Sequence, residues 1–303
     1  MPLSGFSAVL ACAVCAAPAP TPDAISTSDA IAMEASAEAR VGGLTIGRAD
    51  EARGVLERRL EARVGVRPIP ELSVSAGVPV LFRSFDLQGE ESSSVVAGDV
   101  EILGNAILLD DRGALEHHLS LAPIVKLPTA PVENDAQGEP LESNLQPGCS
   151  SIVPIVSAFY AFGQTVWTVR FGGGVNIPFP VRNAPHRGAL GSIVAEAELR
   201  PVSALALRTG SKWLIEATGV GADDRAEESS GGITGYLSAG IDVRWADQLS
   251  AGVGVDIPVL KALRGDQDPT PIGSLRIAGQ WDVTSPSQPA PSVQMARASA
   301  AQF

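Results

Sequence analysis

Thr165-Val166-Trp167-Thr168-Val169-Arg170-Phe171-Gly172-Gly173-Gly174-Val175-Asn176-Ile177 changes character at nearly every step. Trp167, Val169, Phe171, Val175 and Ile177 fall on one side. Val166, Thr168, Arg170 and Asn176 fall on the other. Successive side chains of a strand point to opposite faces, so this stretch is a strand with one apolar and one polar face. Working outward, the same alternation recurs from residue 38 to residue 283. The reading predicts strands at Ala39–Arg48, Val55–Arg67, Glu71–Arg83, Gly98–Leu109 and Leu115–Leu127, then Ile152–Phe162 and the quoted stretch. Gly191–Arg200, Ala204–Ala217, Ile233–Trp245, Leu249–Leu260 and Ile272–Val283 complete the set.

The gaps between these segments take turns. Tight breaks such as Pro68-Ile69-Pro70, Gly163-Gln164 and Pro201-Val202-Ser203 alternate with longer or charged ones, the longest running from Pro128 to Ser151. Sandwiches and propellers also consist of short strands, but nothing in them makes long and short connections alternate. An outer-membrane barrel has this asymmetry, with short periplasmic turns and long outer loops. The expected fold is therefore all-β: a twelve-stranded antiparallel transmembrane barrel in a bacterial outer membrane, with both chain ends on the periplasmic side. Strands of about 10–12 residues, rising about 3.3 Å each and strongly tilted, span the roughly 25 Å apolar band of that membrane.

Composition agrees with this and excludes other classes. The 303 residues carry a formal charge of −12, so no basic stripe offers itself to nucleic acid. Outside the N-terminal segment no run of about 18 apolar residues occurs, which excludes helical spans but not strands. Residues 1–24 read as an export signal, apolar and small from Leu3 to Ala17, without basic residues at its start. Within it Val9-Leu10-Ala11-Cys12 resembles a lipoprotein box. Residues 25–37 read as a flexible lead-in, 38–283 as the barrel, and 284–303, rich in Ser, Pro, Gln and Ala, as a disordered tail.

A charge on the lipid face costs a few kcal/mol near the midplane, so charges within strands are expected to point inward. The expected lumen lining is Glu61, Arg63, Arg170, Glu196, Glu198, Arg200 and Arg208, continued by Lys212, Glu216, Asp242, Arg244, Asp256 and Arg276. These side chains either pair with one another or select what passes. Twelve strands lie between the filled eight-stranded barrel and the open sixteen-stranded one, so a narrow or plugged lumen is expected. Aromatic girdles are expected at both interfaces: Phe162, Trp167, Trp245 and Trp281 at the periplasmic one, Phe82, Phe179 and Trp213 at the other.

Other chemistry is weakly represented. His118 and Ser120 share a face, as a base and nucleophile would, but Leu119 and Leu121 take the face that meets lipid and no orienting partner is evident. The chain is read as a non-enzyme. The acidic pairs Asp223-Asp224 and Glu227-Glu228 lack the fixed spacing of a calcium loop, so no metal site is expected. Cys149 would be the sole cysteine after signal removal, too few for an internal disulfide. No cofactor motif occurs, and the expected partners are outer-membrane lipid and a small solute.

Lys126-Leu127-Pro128-Thr129, followed by Leu145-Gln146-Pro147-Gly148-Cys149-Ser150, resembles a signature of the outer-membrane transporters of the meta-pathway phenol-degradation family. Gly98-Asp99-Val100 and the stretch from Arg244 to Asp256, with its Asp-Gln-Leu-Ser-Ala-Gly-Val core, are similar to the same group. The likeness covers roughly residues 55–282, and Cys149 stands where that pattern has a small or hydroxyl residue. It implies a barrel that carries small, hydrophobic or aromatic solutes. A structural or surface-binding barrel with a closed lumen is the alternative.

Overall fold

The structure, a computed structural model, describes residues 32–47, 53–87, 90–135, 137–181, 184–246 and 249–282. The segments read as an export signal (1–24) and as a tail (284–303), and the first part of the one read as a lead-in, lie outside the described residues. The strands in chain order are β1 (Ala32–Ile46), β2 (Arg53–Ile69), β3 (Leu72–Leu87), β4 (Glu90–Ala97), β5 (Val100–Arg112), β6 (Glu116–Leu127), β7 (Ser151–Gln164) and β8 (Trp167–Asn176). They continue with β9 (Phe179–Pro180), β10 (Leu190–Val202), β11 (Leu205–Glu216), β12 (Gly232–Ala246), β13 (Leu249–Leu263), β14 (Asp268–Pro269) and β15 (Ile272–Asp282).

Twelve of these are staves of one closed antiparallel barrel; β4, β9 and β14 are short additions at the long-loop end. Closure comes from β1, which pairs with β2 from Ala32↔Arg67 to Ile46↔Arg53 and with β15 from Ala32↔Asp282 to Val41↔Gly273. A closed sheet leaves no edge, so every mid-wall backbone group can find a partner within the wall, as lipid requires.

The alternation sorts the side chains as the quoted stretch implies. In β8, Phe171 and Val175 are exposed on the outer face while Arg170 and Asn176 are buried inside. Val64, Val175 and Ile193 are 63, 57 and 56 % exposed, and comparable apolar side chains recur around the circumference. A soluble monomer rarely shows an apolar patch of more than a few hundred Å². An apolar belt around a barrel with charges inside is stable only in lipid.

Several boundaries differ from expectation, each for a physical reason. The lead-in ends earlier than read: β1 already runs at Ala32, and the stave covers 32–46 rather than 39–48. That segment looked loop-like because its inward residues Glu34, Ser36 and Glu38 are polar and its outward ones are mostly alanine. β2 and β3, with 17 and 16 residues, are longer than the membrane needs. They rise above it, and β4 folds back on the top of β3 from Leu87↔Glu90 to Val80↔Ala97. The acidic gap from Ser84 to Ala97 is therefore mostly strand. Glu91, Ser92 and Ser93 are exposed and Ser94 donates to Glu133 of the following long segment, so period-two hydropathy is absent there.

Candidate functional site: a charged lumen beneath a folded-in loop

Inward residues of the staves surround a cavity of about 430 Å³. It extends from Pro70 and Glu71 at the short-turn end to Ile155, Leu190 and Ile272. Of the charged residues expected in the lumen, Glu61, Arg63, Arg170, Glu196, Arg208, Lys212, Arg244, Asp256 and Arg276 line it. Asp242 points inward beneath the arginines and pairs with Arg208 and, at 3.6 Å, with Arg276. Glu198 and Arg200 pair with each other at 2.5 Å outside the cavity lining. Glu216 lies higher, beside a small crevice that it shares with Cys149 and Arg187.

The inward charges form two networks on opposite walls. On one, Glu101 of β5 receives Arg59 (3.1 Å), Arg63 (2.9 Å) and Lys126 (2.7 Å), while Glu61 receives Arg59 (2.6 Å) and Arg63 (2.5 Å). On the other, Arg170, Glu196, Arg208, Asp242 and Arg276 string across β8, β10, β11, β12 and β15. Desolvation makes an isolated charge costly, so alternating signs are what allow so many charges in a narrow barrel. Glycine supplies room in this wall: the Phe159 ring occupies the space where a Cβ on Gly172 would stand.

The longest gap of the sequence closes the other end. Segment 128–150 folds across the mouth of the barrel, and residues from Leu141 to Ser151 are almost all buried. Leu141 and Leu145 pack with the inward Leu44, Ile46, Val55 and Phe85 of β1, β2 and β3. Cys149 joins a second apolar cluster with Ile124, Val153, Ile155, Leu190, Leu214, Tyr236 and Ile272. Side chains from around the rim then bond several of its polar groups, although Asn144 Oδ1 stays buried without a donor among the described residues. Asp99 accepts hydrogen bonds from the backbone N–H of Ala130 (3.0 Å) and Cys149 (2.6 Å). Arg83 donates to the Leu145 carbonyl (2.5 Å) and pairs with Glu133 and Glu57. Arg187 donates to the Asn144 carbonyl (3.0 Å), and Glu227 accepts from the amide (2.9 Å) and hydroxyl of Ser143. A loop whose backbone is satisfied in this way is an ordered plug.

A narrow or plugged lumen was expected, but sequence reading did not place Arg59, Glu101, Lys126, Arg83 or Asp99 in the site, nor identify which segment forms the plug. Glu101 and Lys126 were legible, since each alternates with an outward apolar neighbour, Ile102 and Val125; Arg59 was less so, because it stands between Leu60 and the exposed Arg58. The plug was not, because its partners lie up to 123 residues away. Of the motif residues, Leu145 to Ser150 belong to the plug, Asp99 fastens it, and Lys126 belongs to the lumen network through Glu101.

The aromatic residues lie on the outer face at both ends. Phe162 contacts Trp167 edge-on at 6.1 Å and stacks on Phe171 at 6.3 Å, with Tyr160 and His117 alongside. Trp245 and Trp281 are exposed near the short-turn ends of β12 and β15. Phe82, Phe179 and Trp213 are exposed toward the long-loop end. His118 and Ser120 both point inward, Ser120 buried in the lumen wall and His118 with Nδ1 3.8 Å from Asp110. Among the described residues no three metal-ligating side chains come together.

No family model matches the sequence, and no curated protein matches it significantly. Solved structures do. An outer membrane channel from Pseudomonas putida superposes with a TM-score of 0.66 over 86 % of this chain and 99 % of that one, at 9 % identity. The transport unit of the autotransporter AIDA-I from Escherichia coli gives 0.48 over 86 and 93 % at 10 % identity. The KdgM porin gives 0.43 over 82 and 99 % at 7 % identity. At 9 % identity the likeness to the P. putida channel speaks for the fold. With the apolar outer belt, it makes the chain a twelve-stranded barrel of the class that spans the bacterial outer membrane.

Proposed function

We propose that this barrel is an outer-membrane channel or transporter for small solutes, with the plug outward and the open end of the cavity toward the periplasm. The observation that carries the reading is the charge-lined cavity of about 430 Å³ beneath an ordered plug. A barrel with a purely structural role needs no hollow, and a filled one would be more stable. The P. putida neighbour, an outer membrane channel by description, supports the same reading. The solute is hydrophobic or aromatic. The resemblance to the phenol-degradation transporters supports this, as does the apolar part of the lining at Leu103, Ile107, Phe159 and Val194. No step of catalysis is assigned.

Liposome swelling tests the proposal. Proteoliposomes are expected to admit small neutral and aromatic solutes faster than protein-free vesicles. A folded barrel that admits none of a graded series would instead be the closed, structural barrel that the dense bonding of the plug favours.

A further inference from the structure

We propose that the lumen wall from β8 to β15 holds a subsite for an aromatic acid, with the ring against Phe159 and Val194 and the carboxylate on the guanidinium of Arg208. The proposal rests on reading the barrel as a solute channel, and it adds the charge of the solute.

The sign of the lumen is the first observation. The chain carries a formal charge of −12, yet among the described residues eight cationic and six carboxylate side chains line the cavity. The surplus has a definite place. Glu34 is matched by Arg67 at 2.5 Å and Glu38 by Arg40 at 2.7 Å. Of the network around Glu101, only Glu61 and Arg63 reach the cavity, one of each sign, and Glu71 adds a carboxylate at the short-turn end. On the other wall, the string of Arg170, Glu196, Arg208, Asp242 and Arg276 sets three cations against two carboxylates. Lys212 and Asp256 add one charge of each sign there. Arg244, near the short-turn end of β12, also lines the cavity and makes no ion pair among the described residues. Rings and clusters of Arg and Lys in a pore favour anions.

Second, apolar surface adjoins this charge. Phe159 of β7 and Val194 of β10 both stand opposite Gly172 of β8, so no side chain separates them. One row nearer the short turns, Ala161, Arg170 and Glu196 stand opposite one another in the same order. The two rows are two residues apart, about 7 Å along a stave. The carboxylate of a benzene-sized acid and a flexible arginine stem span that gap between them. Leu103 and Ile107 of β5 extend the apolar lining.

Third, Arg208 has a donor to give. It binds Asp242 through Nη2 at 3.1 Å. Its Nη1 faces Glu196 at 3.9 Å, beyond hydrogen-bond distance, and has no other acceptor among the described residues. A guanidinium carries five N–H donors and takes a carboxylate by two of them. An acid whose ring lies on Phe159 brings its carboxylate to this face. Arg276 and Arg244 continue the cations along β15 and β12 toward the open end of the cavity.

The test is titration calorimetry of the full-length barrel in zwitterionic detergent with three probes of similar size. They are benzenesulfonate, an anion at every working pH, benzyl alcohol, and phenyltrimethylammonium. Benzenesulfonate is expected to bind several-fold more tightly than benzyl alcohol, and phenyltrimethylammonium most weakly. Arg208→Gln leaves Glu196 with Arg170 and Asp242 with Arg276. It is expected to bring benzenesulfonate down to the level of benzyl alcohol and to leave benzyl alcohol unchanged, whereas Phe159→Ala weakens both. Should the Arg208 variant fail to show heat-modifiable migration, Arg244→Gln, which breaks no ion pair among the described residues, gives the same comparison with a smaller loss. Arg225→Gln, in an exposed loop, is the control and is expected to change nothing. Binding of either other probe as tight as that of benzenesulfonate, or unchanged benzenesulfonate affinity in the folded lumen variant, would overturn the subsite. Failure of the channel reading shows separately, as absence of entry of any solute in swelling assays of a barrel that still binds benzenesulfonate.

Discussion

Single side chains decide between lumen and lipid. Leu60 faces outward near the middle of β2, 48 % exposed, while its neighbours Arg59 and Glu61 are buried inward. Replacing Leu60 by Arg puts a charge on the lipid face. It is expected to lower the free energy of urea unfolding in lipid by about 2–4 kcal/mol. Lys126 illustrates the other face. It is buried at 2.7 Å from Glu101, which already holds two arginines. Lys126→Met leaves a network with one cation fewer, and is expected to cost about 3–5 kcal/mol, the usual penalty for breaking a buried pair. A lowered midpoint of heat-modifiable migration would register it; an unchanged midpoint would show that Lys126 is not part of the network. Face assignment of this kind was legible in the sequence because period two is strict within a stave. Which charge meets which was not, since partners such as Arg63 and Glu101 are 38 residues apart and meet only through the ladders.

At the scale of elements, the segment 128–150 stands apart. It was legible as the longest gap, and its polar residues read as an exposed loop. Instead it carries two apolar footholds, Leu141 with Leu145 and Cys149, that dock on inward residues of opposite walls. Hydropathy averaged over a loop cannot show this, because the footholds are few and the rest of the loop is held by backbone hydrogen bonds. The fasteners are specific. Asp99 alone accepts two plug amides. Asp99→Ala leaves both without that acceptor, at about 1–3 kcal/mol each when buried. It is expected to loosen the plug without unfolding the barrel: single-channel records should show a several-fold higher open probability with unchanged heat-modifiability. The same record from Glu227→Gln should change less, because glutamine keeps an acceptor for the Ser143 amide and hydroxyl. The early start of β1 belongs to this scale too. Its alanine-rich outer face carries little hydropathy, and only pairing with β2 and β15 on both sides makes it a stave.

For the molecule as a whole, twelve staves set a lumen too wide to be filled by wall side chains alone and too narrow to stay open once a loop enters it. The alternation of strands and of long and short gaps carried the strand number and the antiparallel order of the barrel. It carried nothing about the height of β2 and β3 above the membrane, where both faces are polar or covered by loops. Charge is distributed by the same geometry. Within the wall, carboxylates and arginines alternate. Much of the acidic excess behind the net charge of −12 lies in the loops of the plugged end, among them Asp223, Asp224 and Glu228. The central claim is that a hollow barrel is closed at that end by its own folded-in loop. Planar-bilayer conductance of the intact barrel against one with residues 131–147 replaced by a short glycine–serine turn tests it most directly. The account predicts a nearly silent intact protein with brief openings and a steady, ohmic current from the shortened one. Equal conductance in two folded barrels would contradict it.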